Sequence, residues 1–154
     1  MSVDISIVSD EAQTQRLLPL ARAYCDFYHS QPSDDSLLLL MRALIADPAR
    51  EGAQFLASDS GSDVGFATVY WSWETTISSR VGVMNDLFVI PASRGRGVGS
   101  ALIDACLHRC REHGAARMIW QTAPGNVRAQ AVYDHIRATR ETWVDYWLDT
   151  RGDR

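Results

Sequence analysis

Residues 86–103 read Asp-Leu-Phe-Val-Ile-Pro-Ala-Ser-Arg-Gly-Arg-Gly-Val-Gly-Ser-Ala-Leu-Ile, and this stretch decides the fold. The apolar run Leu87-Phe88-Val89-Ile90 predicts a buried strand. After it, Val98, Ala101, Leu102, Ala105, Cys106 and Cys110 recur at helical spacing up to Gly114, which predicts a helix and its C-cap. Between strand and helix lies a turn, residues 94–100, with three glycines and two arginines. A strand feeding such a turn leaves the first N–H groups of the helix free at the positive end of its dipole, which makes an anion site. Gly95, Gly97 and Gly99 let a phosphate approach the backbone, and Arg94 and Arg96 add charge at the rim.

Outward from this stretch the pattern is regular. VDISIVS near the N-terminus alternates as a strand, Asp10 offers a helix cap, and Leu17, Leu18, Leu20, Ala21 and Tyr24 continue at helical spacing. Pro32 breaks the pattern and SLLLLMRALIA predicts a second helix. AQFLAS, VGFATVYWSW and RVGVMNDLFVI read as three strands joined by short polar turns, an antiparallel meander. ARMIWQTA predicts a strand, NVRAQAVYDHIRA a helix capped by Asn126, and TWVDYWLDT a last strand. The order β-αα-βββ-α-β-α-β is that of one α/β domain over residues 1–154 with a mixed sheet.

Composition narrows the function. A net charge of −4 argues against nucleic acid as the main partner, since phosphate-neutralising proteins carry a basic face, so any phosphate must be met locally. No apolar run reaches the roughly 18 residues of a membrane span. All fifteen basic residues are arginine, so a lysine nucleophile, a Schiff base and the Gly-Lys-Ser/Thr ending of a Walker loop are excluded. A dinucleotide fingerprint fails as well, because Ser100 stands where its third glycine belongs. Cys25, Cys106 and Cys110 are an odd number in a chain without a signal-like start, which predicts a reduced, cytoplasmic protein. Cys106 and Cys110 lack the further ligands a zinc site needs, and no metal is expected.

DLFVIPASRGRGVGSALI resembles the signature of the GNAT acyltransferase superfamily, and TAPGNVRAQAVYDHI its second signature, an asparagine followed seven residues later by a helical tyrosine. The order of strands and helices is also that of the family, whose fold is a central mixed, mostly antiparallel sheet flanked by helices. The resemblance implies acetyl-CoA as cosubstrate and transfer of its acetyl group to an amine. It implies that backbone groups at Leu87, Phe88 and Val89 pair with the pantetheine arm, that residues 94–100 (Arg94, Gly95, Arg96, Gly97, Val98, Gly99, Ser100) hold the pyrophosphate, and that Asn126 meets the pantetheine amides or orders its helix. Tyr133 would give a proton to the departing sulfur. The attacking amine must first lose a proton, for which Glu74, Asp86 and, more distantly, His29 are the candidates, with a water relay as the alternative.

Within the superfamily the chain is similar to diamine and other small-amine N-acetyltransferases, through the DLFV strand, the Asn126–Tyr133 helix and IRATRETW. Asn85 stands where the diamine enzymes carry a substrate-binding glutamate, and Ile136-Arg137 replaces a small-Gly turn. Tyr28, Trp73, Asn85 and Trp143 are the expected acceptor contacts, because aromatic faces suit an amine cation. The expected acceptor is the primary amine of a small cationic molecule, polyamine or amino-acid-like. Aminoglycoside-type and protein N-terminal acetyltransferases are the enzymatic alternatives, and a non-catalytic acyl-CoA-binding module the alternative of another class. Relatives that pair imply a homodimer.

Overall fold

In the computed structural model, which describes residues 2–152, the first alternating run forms β1 (Val3–Ile7). Two helices follow, each started by a side-chain cap. Asp10 accepts from the Gln13 N–H (2.8 Å) at the start of α1 (Glu11–Phe27), and Ser33 accepts from the Ser36 N–H (3.1 Å) at the start of α2 (Asp34–Ala46). β2 (Gly52–Asp59) and β3 (Ser62–Glu74) form a hairpin whose two turn residues, Ser60 and Gly61, both have positive φ, as a tight hairpin turn requires. β4 (Ser79–Val89) returns beside β3, α3 (Val98–His113) crosses over, and β5 (Arg117–Ile119) lies parallel to β4. α4 (Val127–His135) comes last, capped by Asn126, which accepts from the Ala129 N–H at 3.2 Å.

The sheet runs β1-β2-β3-β4-β5, antiparallel except for the final pair, which is joined through a helix as a parallel pair must be. Alternation sends Phe55 and Ala57 to one face and Leu56 to the other. On the first face α3 buries Leu102, Ile103, Cys106 and Cys110 against Val69 and Trp71; on the second, α1 and α2 bury Leu17, Leu20 and Met41 against Phe66 and Phe88. Each such side chain stabilises the fold by roughly 1.5–3 kcal/mol relative to leaving it in water. Close approach of α3 to β4 requires a glycine at 82, because a Cβ there would sit 2.3 Å from the Cys110 sulfur. Burial pushes the Cys106 thiol up to about 12 and Cys110 to about 11, so both are inert core residues. On the surface, guanidinium groups tie elements together: Arg16 to Asp63 at 2.6 Å and Arg42 to Glu11 at 2.7 Å.

The expected last strand, TWVDYWLDT, does not form. Residues 138–150 have no sheet pairing, and Trp143, Val144, Tyr146, Trp147 and Leu148 are 68–91% exposed. β5 spans only three residues, so the sheet ends in an edge too short to template a nine-residue strand.

Candidate active site

Two irregularities of β4 open the site. Its register with β3 shifts between Thr68 and Val69, leaving Asn85 without a cross-strand partner. On its other side, β5 pairs with Val81–Val83 alone and then diverges. From Met84 to Val89, β4 therefore faces a cleft of about 240 Å³. Leu87, Phe88 and Val89 line it from β4; Arg94, Gly95, Gly97, Gly99 and Ser100 from the start of α3; Asn126, Arg128, Val132 and Tyr133 from α4; and Tyr24, Phe27 and Tyr28 from the end of α1. Trp120, Gln121 and Thr122 complete the wall.

The glycine turn has the form of an anion cradle. Gly95 and Gly97 need glycine for their backbone, with φ of 74° and 84°. Gly97 is also the N-cap of α3 and no side chain caps the first turn, so its N–H groups are free. Gly99 has neither positive φ nor a neighbour within 4 Å of the place a Cβ would take. Nothing inside the chain demands glycine there, so its bareness matters only to something entering from outside. Of the two loop arginines, Arg94 lines the cleft, its Nε donating to the Val89 carbonyl (2.8 Å) beside the Phe88 ring. Arg96 points instead to the buried Asp59, 3.6 Å away, and Val98 lies in the core at 2% exposure. A second guanidinium on the cleft wall belongs to Arg128, which the sequence pattern did not single out.

At the other end, Tyr133 stands edge-on to Trp120 (centroids 5.2 Å, 69°). Burial, with a smaller contribution from Tyr28, raises its phenol above the ordinary value, so it is a proton donor at neutral pH. Tyr24 packs edge-on against Tyr28 (5.0 Å), and its hydroxyl donates to the Asn85 carbonyl at 3.3 Å. Asp86 is partly buried on the far face of β4; the Asn85 side-chain amide donates to it at 2.9 Å. Burial raises its carboxyl above the usual range, although its polar neighbours Thr68, Asn85 and Tyr24 pull the other way.

Three expected residues lie elsewhere. Glu74 forms a two-pronged ion pair with Arg117 at the far end of β3, which holds its carboxyl below the usual value. Trp73 is 68% exposed with Arg80 5.0 Å above its ring, and Trp143 is 83% exposed with its indole N–H on Glu141. Neither these nor Asp86 line the cleft, and among the described residues no Asp or Glu does. Trp120, Phe27 and Met84 do line it; Trp120 alone had a sequence signal, as the aromatic that ends the β5 run.

Comparison with known proteins bears on the family and the fold. The family model "Acetyltransferase (GNAT) family" matches residues 16–137. An uncharacterized N-acetyltransferase of Bacillus subtilis (strain 168) is 26% identical over 134 residues, covering 86% of this chain and 89% of its own. The thialysine N-epsilon-acetyltransferase of Caenorhabditis elegans is 23% identical over 149 residues, covering 97% and 90%. Among solved structures, an aminoglycoside N-acetyltransferase in complex with CoA superimposes with a TM-score of 0.83 at 24% identity, covering 97% of this chain and 95% of that one.

Proposed function

The chain belongs to the acetyltransferase (GNAT) family and is an acetyl-CoA-dependent N-acetyltransferase, and from that premise we propose that it acetylates the primary amine of a small, amino-acid-like molecule. One observation carries the reading: the bare Gly99 cradle and the protonated Tyr133 phenol lie on walls of the same cleft, along a stretch of β4 whose far edge β5 leaves open.

Acetyl-CoA supplies the activated acyl thioester. Those backbone groups of the Leu87–Val89 stretch that point away from β3 pair with the extended pantetheine arm as an added strand would, beside the Val89 carbonyl that accepts from Arg94. One of their N–H groups polarises the thioester carbonyl. The free N–H groups at the start of α3, with Arg94 and Arg128, meet the phosphates, and Asn126 keeps α4 ordered by its cap. Tyr133 donates its phenolic proton to the sulfur as it leaves. Asp86 serves as the base; Glu74, locked to Arg117, has no part in this reading. No metal is required.

An amino-acid-like acceptor is preferred to a polyamine because, among the described residues, the cleft lining contains no carboxylate to repeat along a polycation. The acceptor cation rests instead on the faces of Tyr24, Phe27 and Tyr28, with Asn85 beside them. A homodimer belongs to the reading too: it gives the exposed apolar side chains of residues 143–148 somewhere to be buried. The test is to incubate the purified protein with acetyl-CoA and amino acids, polyamines, aminoglycosides or peptides, and record free CoA thiol. Fastest release with amino acids is expected; fastest release with polyamines overturns the acceptor.

A further inference from the structure

Three polar side chains stand in line across three strands beneath α1 and α2. The register pairs Gln54 of β2 with Thr68 of β3, and Thr68 with Asp86 of β4. Their neighbours on this face are Leu17, Leu56, Phe66 and Phe88, an apolar setting in which polar atoms are costly unless bonded. Gln54 and Thr68 are 3% and 0% exposed, so no water satisfies them from the surface. The Gln54 amide N–H donates to the Thr68 hydroxyl oxygen at 3.1 Å. With its oxygen accepting from Gln54, the Thr68 hydroxyl has its own proton left to give, and its cross-strand partner on β4 is Asp86.

The row ends at the cleft. Asp86 does not line it, but Tyr24 does, and the Tyr24 hydroxyl donates to the carbonyl of Asn85, the residue next to Asp86 on β4. The titratable groups facing Asp86 are Tyr24 and Cys25 from α1 and Tyr70 from β3; among the described residues no cation pairs with it. Asn85, its neighbour on the strand, is neutral and cannot take a proton.

We propose that Tyr24 passes the acceptor's proton to Asp86, and that Thr68 and Gln54 are positioning residues that hold Asp86 ready to receive it. This rests on the acetyltransferase reading and adds the missing route between cleft and carboxylate. In the step, one N–H bond of the acceptor ammonium breaks and its proton goes to the Tyr24 oxygen while the Tyr24 O–H proton moves to an Asp86 oxygen. Tyr24 ends as a phenol again, Asp86 as a neutral acid, and the amine holds the lone pair with which it attacks. Asp86 returns its proton to water by the same route after the product leaves. The raised phenol of Tyr24 keeps it from resting as an anion.

Two measurements test this. In kinetics, Tyr24→Phe is expected to lower kcat at pH 7 by roughly 10²–10⁴-fold, the usual worth of a proton-transfer group, while acetyl-CoA binding stays within about twofold. If amino acids are not acetylated but another amine is, the acceptor reading falls and Tyr24→Phe is measured on that amine. In the protein without acetyl-CoA, an infrared titration of the Asp86 carboxyl, identified by its loss in Asp86→Asn, reads the row directly. Thr68→Val removes a donor to the carboxylate and is expected to move this titration upward, with Thr68→Ser restoring it and Gln54→Leu giving a smaller upward move. An unchanged kcat in Tyr24→Phe overturns the relay, and an Asp86 titration indifferent to Thr68→Val overturns the positioning.

Discussion

α3 and α4 pack on the same face of the sheet and supply opposite walls of one cleft, but they are held by different means. α3 has 16 residues, five of them buried, and ends on Gly114, whose φ of 79° suits the turn that lets Ala115 bond back to Cys110. α4 has nine residues and none buried. It closes with the same pattern, Ala138 bonding back to Tyr133, but the left-handed position is filled by Arg137 at φ 60°. A nine-residue helix is marginal by itself, so α4 depends on the partly buried contacts of Val132, Tyr133 and Ile136. The wall of the cleft that carries the glycine turn is built into the core, whereas the wall that carries Tyr133 is lightly fastened to it.

Substitutions in the two helices should therefore separate chemistry from stability. Tyr133→Phe is expected to cut kcat by roughly 10²–10⁴-fold with the unfolding midpoint nearly unmoved, since only a hydroxyl is lost from a half-buried site. Thermal unfolding and thiol release on one preparation check both halves. Leu102→Ala in α3, at 0% exposure, should do the reverse and cost about 2–5 kcal/mol in denaturant unfolding, far more than Val132→Ala in α4. Equal losses at the two positions would erase the distinction.

A pH experiment is finer. Asp86 titrates above the usual carboxylate range in the folded protein, so the folded state holds its proton to higher pH than the unfolded state does. Its contribution to stability is full below the unfolded value and is lost as pH rises through the folded one. The unfolding midpoint of Asp86→Asn should accordingly match the wild type in acid and exceed it at neutral pH. Smallest in size is Arg137→Gly, which relieves the left-handed strain at the end of α4 and should add about 0.5–1 kcal/mol, measured by thermal unfolding.

Legibility in the sequence followed packing. The strands and helices that face a core, from β1 to α3, were readable because burial imposes period 2 or 3.6 on their side chains. The cradle was readable because positive φ and free helix N–H groups demand glycines in series. TWVDYWLDT carries a strand's alternation but no neighbour with which to pair, and alternation alone cannot supply one. Glu74, Trp73 and Trp143 had suitable chemistry for an acceptor, but strand periodicity says nothing of how far along the sheet a residue lies from the bulge at Asn85. Trp120 ends a run that reads as a strand, but its place in the cleft depends on β5 parting from β4, an event invisible in any local pattern. The Gln54–Thr68–Asp86 row needed the cross-strand register, which sets Thr68 beside both Gln54 and Asp86 although all three are far apart in the chain.

The ion pairs that brace the surface, such as Arg16–Asp63 and Arg42–Glu11, have guanidinium as their cation, and the 154 residues contain no lysine. A protein that gathers an activated thioester at its own cleft thereby offers it no side-chain amine to acylate by accident. Guanidinium stays protonated, and so poorly nucleophilic, at any physiological pH. These braces keep their positive charge however high the thioester concentration rises, and the molecule is shielded from its own cosubstrate by composition.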